Sequence, residues 1–220
     1  MKINVTEALR YLGVKEPEKD MLARAEATAR GLEECIKPRY LFRDFSLEKR
    51  EGGVYFREAD IMLPGKLAES MLAECHKAAL LICTLGTEFD RLLRASQARD
   101  MAEAVILDAC GSAYAESACE EAEKEIAARH PHLFLTDRFS PGYGDLPLEL
   151  QPAFLSALNG EKLLGVYATA SHLLNPMKSV TAVVGLADKP QAAKIRGCGA
   201  CALKGNCAYR ERGITCVSNA

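Results

Sequence analysis

Four cysteines near the end of the chain have a spacing that indicates metal chemistry. They are Cys198, Cys201, Cys207 and Cys216, in the pattern C-x2-C-x5-C-x8-C. Four thiolates satisfy either tetrahedral zinc or an iron–sulfur cluster. The other five of the nine cysteines stand singly in apolar or helical stretches, and this odd, uneven distribution disfavours a disulfide framework. We therefore predict a metal site in this tail, with free thiols or disulfides as the alternatives.

Residues 138–147, with the sequence RFSPGYGDLP, are the second candidate for chemistry. Prolines and glycines bracket Tyr143, so the segment cannot continue far as a helix or a strand. Glycine has no side chain to keep the backbone amides away from a bound group. The pattern predicts an irregular loop whose backbone can approach a ligand.

A stripe of small side chains occupies residues 109–119 of a predicted long helix that Asp100 caps and that runs to about Arg129. Small side chains let either another element or a ligand come close, and tight packing is the ordinary interpretation. Asp108, Glu116 and Glu120 are spaced by multiples of four positions and therefore share one face of this helix. Such a row is usually the solvated side.

Length and composition exclude several classes of protein. The 220 residues carry 30 acidic and 28 basic side chains, a net charge of −2, and 49% of the residues are hydrophobic. These values are typical of a globular chain and argue against a disordered protein or a dedicated nucleic-acid binder. No apolar run reaches the ~20 residues that cross a bilayer, and the first residues lack a signal-peptide core, so we expect a cytoplasmic protein. Phosphate-loop, HExxH and GxSxG motifs are absent from the sequence.

Periodicity predicts an α+β domain followed by the cysteine-rich tail. Helical patterns run from Asn4 to Gly13, from Pro17 to Pro38, and over residues 65–76, 87–98, 100–129 and 148–158. Extended patterns cover residues 40–47 and 54–59 as a hairpin, and residues 78–85, 163–168 and 179–186. The composition changes after Ala187, where we expect a boundary between a domain at 1–187 and a tail at 188–220.

Three segments of the second half resemble the activation domain of cobalamin-dependent methionine synthase. They are residues 138–147 (RFSPGYGDLP), 165–171 (GVYATAS) and 175–185 (NPMKSVTAVVG). That family has an arginine, a Pro-Gly-Tyr turn and a nearby proline, then Thr-x-Ser and Pro-x-x-Ser-Val patterns that lead into a strand. The family often has a cysteine just before the proline of the turn, where this chain has Leu146. The resemblance implies an antiparallel or mixed sheet flanked by helices over residues 1–187.

The resemblance also implies a function. In that family the domain binds S-adenosylmethionine and uses its methyl group to rescue a cobalamin that has become inactive cob(II)alamin. The cobalamin belongs to a separate corrinoid domain or protein, and this chain lacks the Asp-x-His-x-x-Gly corrinoid motif. The implied partners are methionine synthase or another corrinoid protein and an electron donor such as a flavodoxin or a ferredoxin. The need for an electron favours an iron–sulfur cluster over zinc in the tail.

The resemblance assigns roles to residues of the loop. Arg138 would bind the methionine carboxylate of S-adenosylmethionine, and the amides around Gly142 and Gly144 would donate hydrogen bonds to the ligand. Tyr143 would lie against the sulfonium or face the corrin ring, and is the residue predicted to act in catalysis. The alternatives are a surface ion pair for Arg138 and a packing role for Tyr143.

Four further residues are assigned to the ligand site. Glu116, with Asp108 in reserve, would bind the ribose hydroxyls or the ammonium group, although a solvated helix residue is the alternative for Glu116. Ser171 and Ser179 would close the pocket. A different class of function also remains open: a non-catalytic, metal-containing interaction module that keeps the fold and docks on a corrinoid protein.

Overall fold

The computed structural model of the protein describes residues 1–14 and 16–192. The metal site predicted at Cys198, Cys201, Cys207 and Cys216 lies outside the described residues. The helices of the described chain are α1 Val5–Tyr11, α2 Lys19–Cys35, α3 Lys66–Met71, α4 Gly86–Arg99, α5 Met101–Arg129, α6 Gln151–Leu158 and α7 Gly160–Leu164. The strands are β1 Arg39–Arg50, β2 Gly53–Phe56, β3 Ile61–Pro64, β4 Cys75–Thr84, β5 Phe134–Leu135, β6 Tyr167–Ala168, β7 Leu174–Asn175 and β8 Ser179–Ala187. Short 3-10 helices occupy Arg57–Ala59 and Leu148–Leu150.

Six of the strands form one sheet in the order β3-β2-β1-β4-β8-β5, and β6 pairs with β7 in a two-stranded ribbon. The pairs β1–β2, β2–β3 and β5–β8 are antiparallel. In β4 the last seven residues are all buried, which explains the continuous apolar run of the sequence. The predicted α+β class, with an antiparallel sheet flanked by helices, is confirmed for the described residues.

The chain divides into two compact units. Unit 1 comprises Met1–Arg43, Leu81–Glu125 and Leu148–Thr181. Unit 2 comprises Asp44–Leu80, Ile126–Pro147 and, of the described residues, 182–192. The predicted boundary between residues 1–187 and 188–220 is a different division, and it stays a prediction.

Two helices of unit 1, α1 and α5, begin where the sequence predicts. The side chain of Asn4 accepts a hydrogen bond from the amide of Glu7 at 3.1 Å, and Asp100 accepts from the amides of Ala102 and Glu103 at 2.8 and 3.3 Å. Each cap satisfies donors that have no partner within the first helical turn. The helices α1, α2, α4 and α5 then bury their apolar faces in one cluster that includes Leu32 and Phe89.

Unit 2 contains the hairpin of β1 and β2 that the sequence predicts, with a third strand, β3, that it does not. Phe45 and Phe56 are both buried, and their ring centroids lie 6.1 Å apart. The predicted helix over 65–76 is wrong in length, because α3 ends at Met71 and β4 begins at Cys75. In unit 1 the predicted strand over 163–168 is likewise shortened to β6. The left-handed residues Asn159 and Gly165 instead bracket the one-turn helix α7.

In the part of the chain that the structure describes, no helix combines the length and the apolar character needed to cross a bilayer.

Candidate functional site

The base of the loop at residues 138–147 is anchored in unit 2. Phe139 forms an isolated antiparallel bridge with Val183, in which each amide donates to the carbonyl of the other residue, at 3.1 and 2.8 Å. The ring of Phe139 is fully buried, and Arg138 beside it is only 6% exposed. A guanidinium so far removed from water is a strong donor of charge-assisted hydrogen bonds. At this burial the side chain is not on the surface, and Arg138 already has an interaction within the protein.

The loop is a tight turn held by its own backbone. The amide of Tyr143 donates to the carbonyl of Ser140 at 3.0 Å, and the amide of Gly142 donates to the carbonyl of Leu146 at 2.8 Å. Gly142 and Gly144 have φ angles of +92° and +55°, which residues with a side chain rarely adopt. The amides of Gly142 and Tyr143 thus have partners inside the turn, and the assignment of ligand-bonding amides around Gly142 and Gly144 stays a prediction.

Tyr143 stands at the tip of this turn with its side chain in solvent. It is 49% exposed, whereas Leu146 on the other side of the turn is buried. Its amide and its carbonyl are both hydrogen-bonded inside the turn, to Ser140 and Leu146 respectively. The backbone therefore fixes where the ring stands, and the exposure disfavours a packing role for the ring.

Asp145 connects the turn to the start of α3. Its two carboxylate oxygens accept from the amides of Lys66 at 2.7 Å and Leu67 at 3.0 Å. These hydrogen bonds, the one from Leu67 first, hold the pKa of Asp145 below its ordinary value, and the charge of Lys66 acts in the same direction. No role was predicted for Asp145 from the sequence. The feature that could have indicated one is an acidic residue placed directly after Gly144 of the turn.

In unit 1, Asp108 lies beside the segment that contains the Pro-x-x-Ser-Val pattern. The ammonium of Lys178 is 2.9 Å from Oδ1 of Asp108 and donates to Oγ of Ser112 at 2.8 Å. The side chain of Lys178 is 15% exposed and that of Asp108 is 46% exposed. Sequence analysis did not single out Lys178, although it stands inside the Pro-x-x-Ser-Val pattern. The carboxylate of Asp108 thus already forms an ion pair with a cation of the same unit.

Ser179 and Ser171 both lie in unit 1 and bond to threonines. The hydroxyls of Ser179 and Thr84 are 2.8 Å apart, and Thr84 also accepts from the amide of Gly86 at 3.0 Å. Ser171 lies in the turn between β6 and β7, where its hydroxyl is 3.0 Å from that of Thr169. Each serine therefore has a local structural partner, and neither contact involves Asp108 or Glu116.

Glu116 lies in unit 1 close to Glu7, the acidic residue of α1. Burial raises the pKa of Glu7, the guanidinium of Arg10 opposes that rise, and the charge of Glu116 adds to it. Burial and the charges of Glu7 and Glu116 raise the pKa of Tyr11 to about 12. In the acidic row of α5, Asp108 and Glu116 are partly buried and Glu120 is exposed, so the row is not simply a solvated face.

The small-residue stripe of α5 serves packing at its glycine. A Cβ atom placed on Gly111 would lie 2.2 Å from Cζ of Phe89, so the ring of Phe89 occupies that space. Phe89 is fully buried. Of the two interpretations of the stripe, packing is the one that the structure supports at this position.

The structure thus distributes the predicted ligand residues over both units. Arg138, Gly142, Tyr143 and Gly144 come together in the turn of unit 2, whereas Asp108, Glu116, Ser171 and Ser179 belong to unit 1. Among residues 1–14 and 16–192, no group of three or more histidine, cysteine or carboxylate side chains is arranged to hold a metal ion. The turn is therefore the candidate site whose geometry the structure defines best.

Comparison with solved structures identifies the fold. Thirteen chains match, among them the crystal structure of the MetH reactivation domain bound to AdoHcy. That match has a TM-score of 0.63 and 16% sequence identity, and it covers 97% of this chain and 82% of the other. At this identity the match shows a shared fold, which confirms the predicted resemblance at the level of the fold. No protein-family model matches the chain, and no curated protein matches it.

Proposed function

We propose that this protein binds S-adenosylmethionine at the loop of residues 138–147 and methylates the cobalt of a partner corrinoid protein. The observation that carries the proposal is the arrangement of a buried Arg138 at the base of a hydrogen-bonded turn with an exposed Tyr143 at its tip. The fold likeness adds support, because the matching domain was crystallised with AdoHcy, which is S-adenosylmethionine without its methyl group.

The proposed reaction has two steps on the partner's cobalamin. An electron donor such as a flavodoxin or a ferredoxin first reduces cob(II)alamin to cob(I)alamin. The cob(I) electron pair then attacks the methyl carbon of S-adenosylmethionine, a cobalt–carbon bond forms, the carbon–sulfur bond breaks, and AdoHcy leaves with that bonding pair on sulfur. The products are methylcobalamin on the partner and free AdoHcy, and no proton is transferred.

The turn would supply the positioning of S-adenosylmethionine that such a reaction requires. Because cob(I)alamin is a strong nucleophile and a sulfonium is a good leaving group, most of the acceleration comes from positioning. Arg138 would hold the carboxylate of the methionine moiety, and the exposed face of Tyr143 would accept the sulfonium or the incoming corrin. The roles predicted for Glu116, Asp108, Ser171 and Ser179 stay predictions, and the ion pair of Asp108 with Lys178 supports its place as the reserve.

Calorimetry with S-adenosylmethionine tests the binding step. We expect Arg138→Lys to weaken binding roughly 10- to 100-fold, because lysine cannot reproduce the bidentate fork. Tyr143→Ala should also weaken binding. The matched control is Tyr167→Ala, since Tyr167 is similarly exposed at 45% but lies on β6 of unit 1.

The outcomes of that experiment separate the candidates. Failure of the wild-type protein to bind would favour the non-catalytic interaction module. Binding that Arg138→Lys and Tyr143→Ala leave unchanged would mean that the ligand binds elsewhere. A second assay follows radiolabelled methyl from S-adenosylmethionine to a corrinoid protein held as cob(II)alamin, with a reductant present, and transfer should require this protein.

We also propose that the four cysteines of the tail bind one metal centre. Their spacing supports the proposal, and the electron needed for reactivation favours an iron–sulfur cluster over zinc. Protein purified without oxygen should absorb broadly near 400 nm and contain iron and sulfide, both of which Cys201→Ser should reduce. Stoichiometric zinc without that absorption would replace the cluster by a structural zinc ion.

A further inference from the structure

The start of α3 lacks a cap of its own and receives one from the loop at residues 138–147. Gly65, the residue before the helix, has no side chain with which to bond the first amides. The carboxylate of Asp145, 79 positions further along than Lys66, instead accepts from the amides of both Lys66 and Leu67. One carboxylate thus does for α3 what an N-cap side chain does for other helices, and it does so from another segment of unit 2.

Gly65, the residue before α3, has a backbone conformation and an open space that accommodate the Asp145 carboxylate. Gly65 has a φ of +97°, and a Cβ atom placed on it would lie 2.7 Å from Cγ and 2.8 Å from Oδ2 of Asp145. A side chain at position 65 would therefore displace the carboxylate or be displaced by it. Glycine at position 65 suits the left-handed φ and leaves the adjoining space to the Asp145 carboxylate.

The same contact fixes the turn that carries Tyr143. Asp145 follows Gly144, and it precedes the buried Leu146, whose amide donates to the carbonyl of Tyr143 at 2.9 Å. Gly144 lies over Leu67, the second residue that Asp145 binds: a Cβ atom on Gly144 would be 3.4 Å from Cδ2 of Leu67. The exposed ring of Tyr143 has little packing to hold it, so its place depends on these backbone contacts.

We propose that Asp145 is a positioning residue: it ties the turn of residues 142–146 to the start of α3 and thereby sets the affinity for S-adenosylmethionine. This inference rests on the proposed function, since it concerns the same turn. Asp145 itself touches no reacting atom in this scheme. It acts through the backbone of Gly144 and Tyr143, and it belongs to a position that sequence analysis left without a role.

The test compares Asp145 with a carboxylate that has the same task elsewhere. Asp100 also accepts from two amides at the start of a helix, and it lies in unit 1 at α5. Asp145→Ala should weaken S-adenosylmethionine binding at least ~10-fold by calorimetry, whereas Asp100→Ala should not change it. Asp145→Asn keeps one acceptor oxygen of the two and should fall between the wild type and the alanine variant. Gly65→Ala places a Cβ atom 2.7 Å from Cγ of Asp145 and should weaken binding in the same direction as Asp145→Ala.

A second readout does not depend on the ligand. Hydrogen exchange of the amides of Gly142, Tyr143 and Leu146 should be at least ~10-fold faster in Asp145→Ala than in the wild type, and unchanged in Asp100→Ala. Unchanged exchange and unchanged affinity in Asp145→Ala would overturn the inference. Faster exchange with unchanged affinity would also overturn it, because the turn would then not set affinity. If the wild type binds no S-adenosylmethionine, the proposed function fails, and exchange alone still decides whether Asp145 holds the turn.

Discussion

Two segments of this protein contain glycines that, judged from the sequence, could let a ligand come close to the backbone. In the structure these glycines have different roles. In α5 of unit 1, Gly111 leaves room for the buried ring of Phe89. In the turn of unit 2, Gly142 and Gly144 adopt left-handed backbone angles, and between them an aromatic side chain stands in solvent. The first glycine is needed for space and the other two for conformation. In the turn an exposed aromatic ring stands between the glycines, whereas at Gly111 a buried ring fills the space beside the glycine.

The two regions also differ in what their carboxyl groups meet. Asp145 in the turn accepts from two backbone amides, which lowers its pKa. Glu7, which lies in unit 1 near Glu116 of α5, is raised in pKa by burial and by like charges. A carboxylate bonded to amides stabilises the fold as an anion, whereas a buried carboxylate among other acids does not. The charged form of Asp145 is thus favoured in the fold, whereas that of Glu7 is disfavoured mainly by burial.

The largest expected effect concerns Gly111. Gly111→Ala places a Cβ atom 2.2 Å from Cζ of the fully buried Phe89, so we expect a loss of about 1–3 kcal/mol in the free energy of unfolding. The matched control is Gly31→Ala in α2, where nothing lies within 4 Å of the added atom. That variant should gain about 0.5–1 kcal/mol from helix propensity alone. Urea unfolding measures both, and a stabilised Gly111→Ala would contradict the packing role.

A smaller effect is expected at Gly144. Gly144→Ala forces a side chain into a φ of +55°, at a cost of about 1 kcal/mol. Gly165→Ala, at a φ of +71° with nothing within 4 Å, should cost a similar amount. Only Gly144→Ala should also weaken S-adenosylmethionine binding, by a few-fold in calorimetry. If the two variants weaken binding equally, the loss reflects general destabilisation and not the turn.

The smallest effect is a pair of opposite pH dependences. The raised pKa of Glu7 means that its charged form destabilises the fold, so Glu7→Gln should gain stability over the wild type as the pH rises above about 4.5, by a few tenths of a kcal/mol. The lowered pKa of Asp145 means that its charged form stabilises the fold. The deficit of Asp145→Asn should therefore be complete above about pH 4 and shrink as the pH falls further. Urea unfolding at a series of pH values measures both. If the free energies of unfolding of the two variants, each taken relative to the wild type, changed with pH in the same direction, the contrast between the two carboxyl groups would be contradicted.

Local patterns were enough to predict much of the fold. Capping at Asn4 and Asp100, the apolar run of β4 and the irregularity of residues 138–147 depend on neighbours within a few positions. The failures occur where distant contacts decide. The carboxylate that caps α3 comes from 79 positions away, and Lys178 pairs with a residue 70 positions earlier. No periodicity records such pairings, so the sequence located the turn but not the contacts that hold it.

The most direct test of the central claim is a titration of the isotopically labelled protein with S-adenosylmethionine, followed by NMR. At saturation, the backbone resonances of residues 138–146 should shift more than any others of unit 2, with the amides of Tyr143 and Gly144 among the largest changes. Saturable binding that leaves every one of those resonances in place would contradict the assignment of the ligand to this turn.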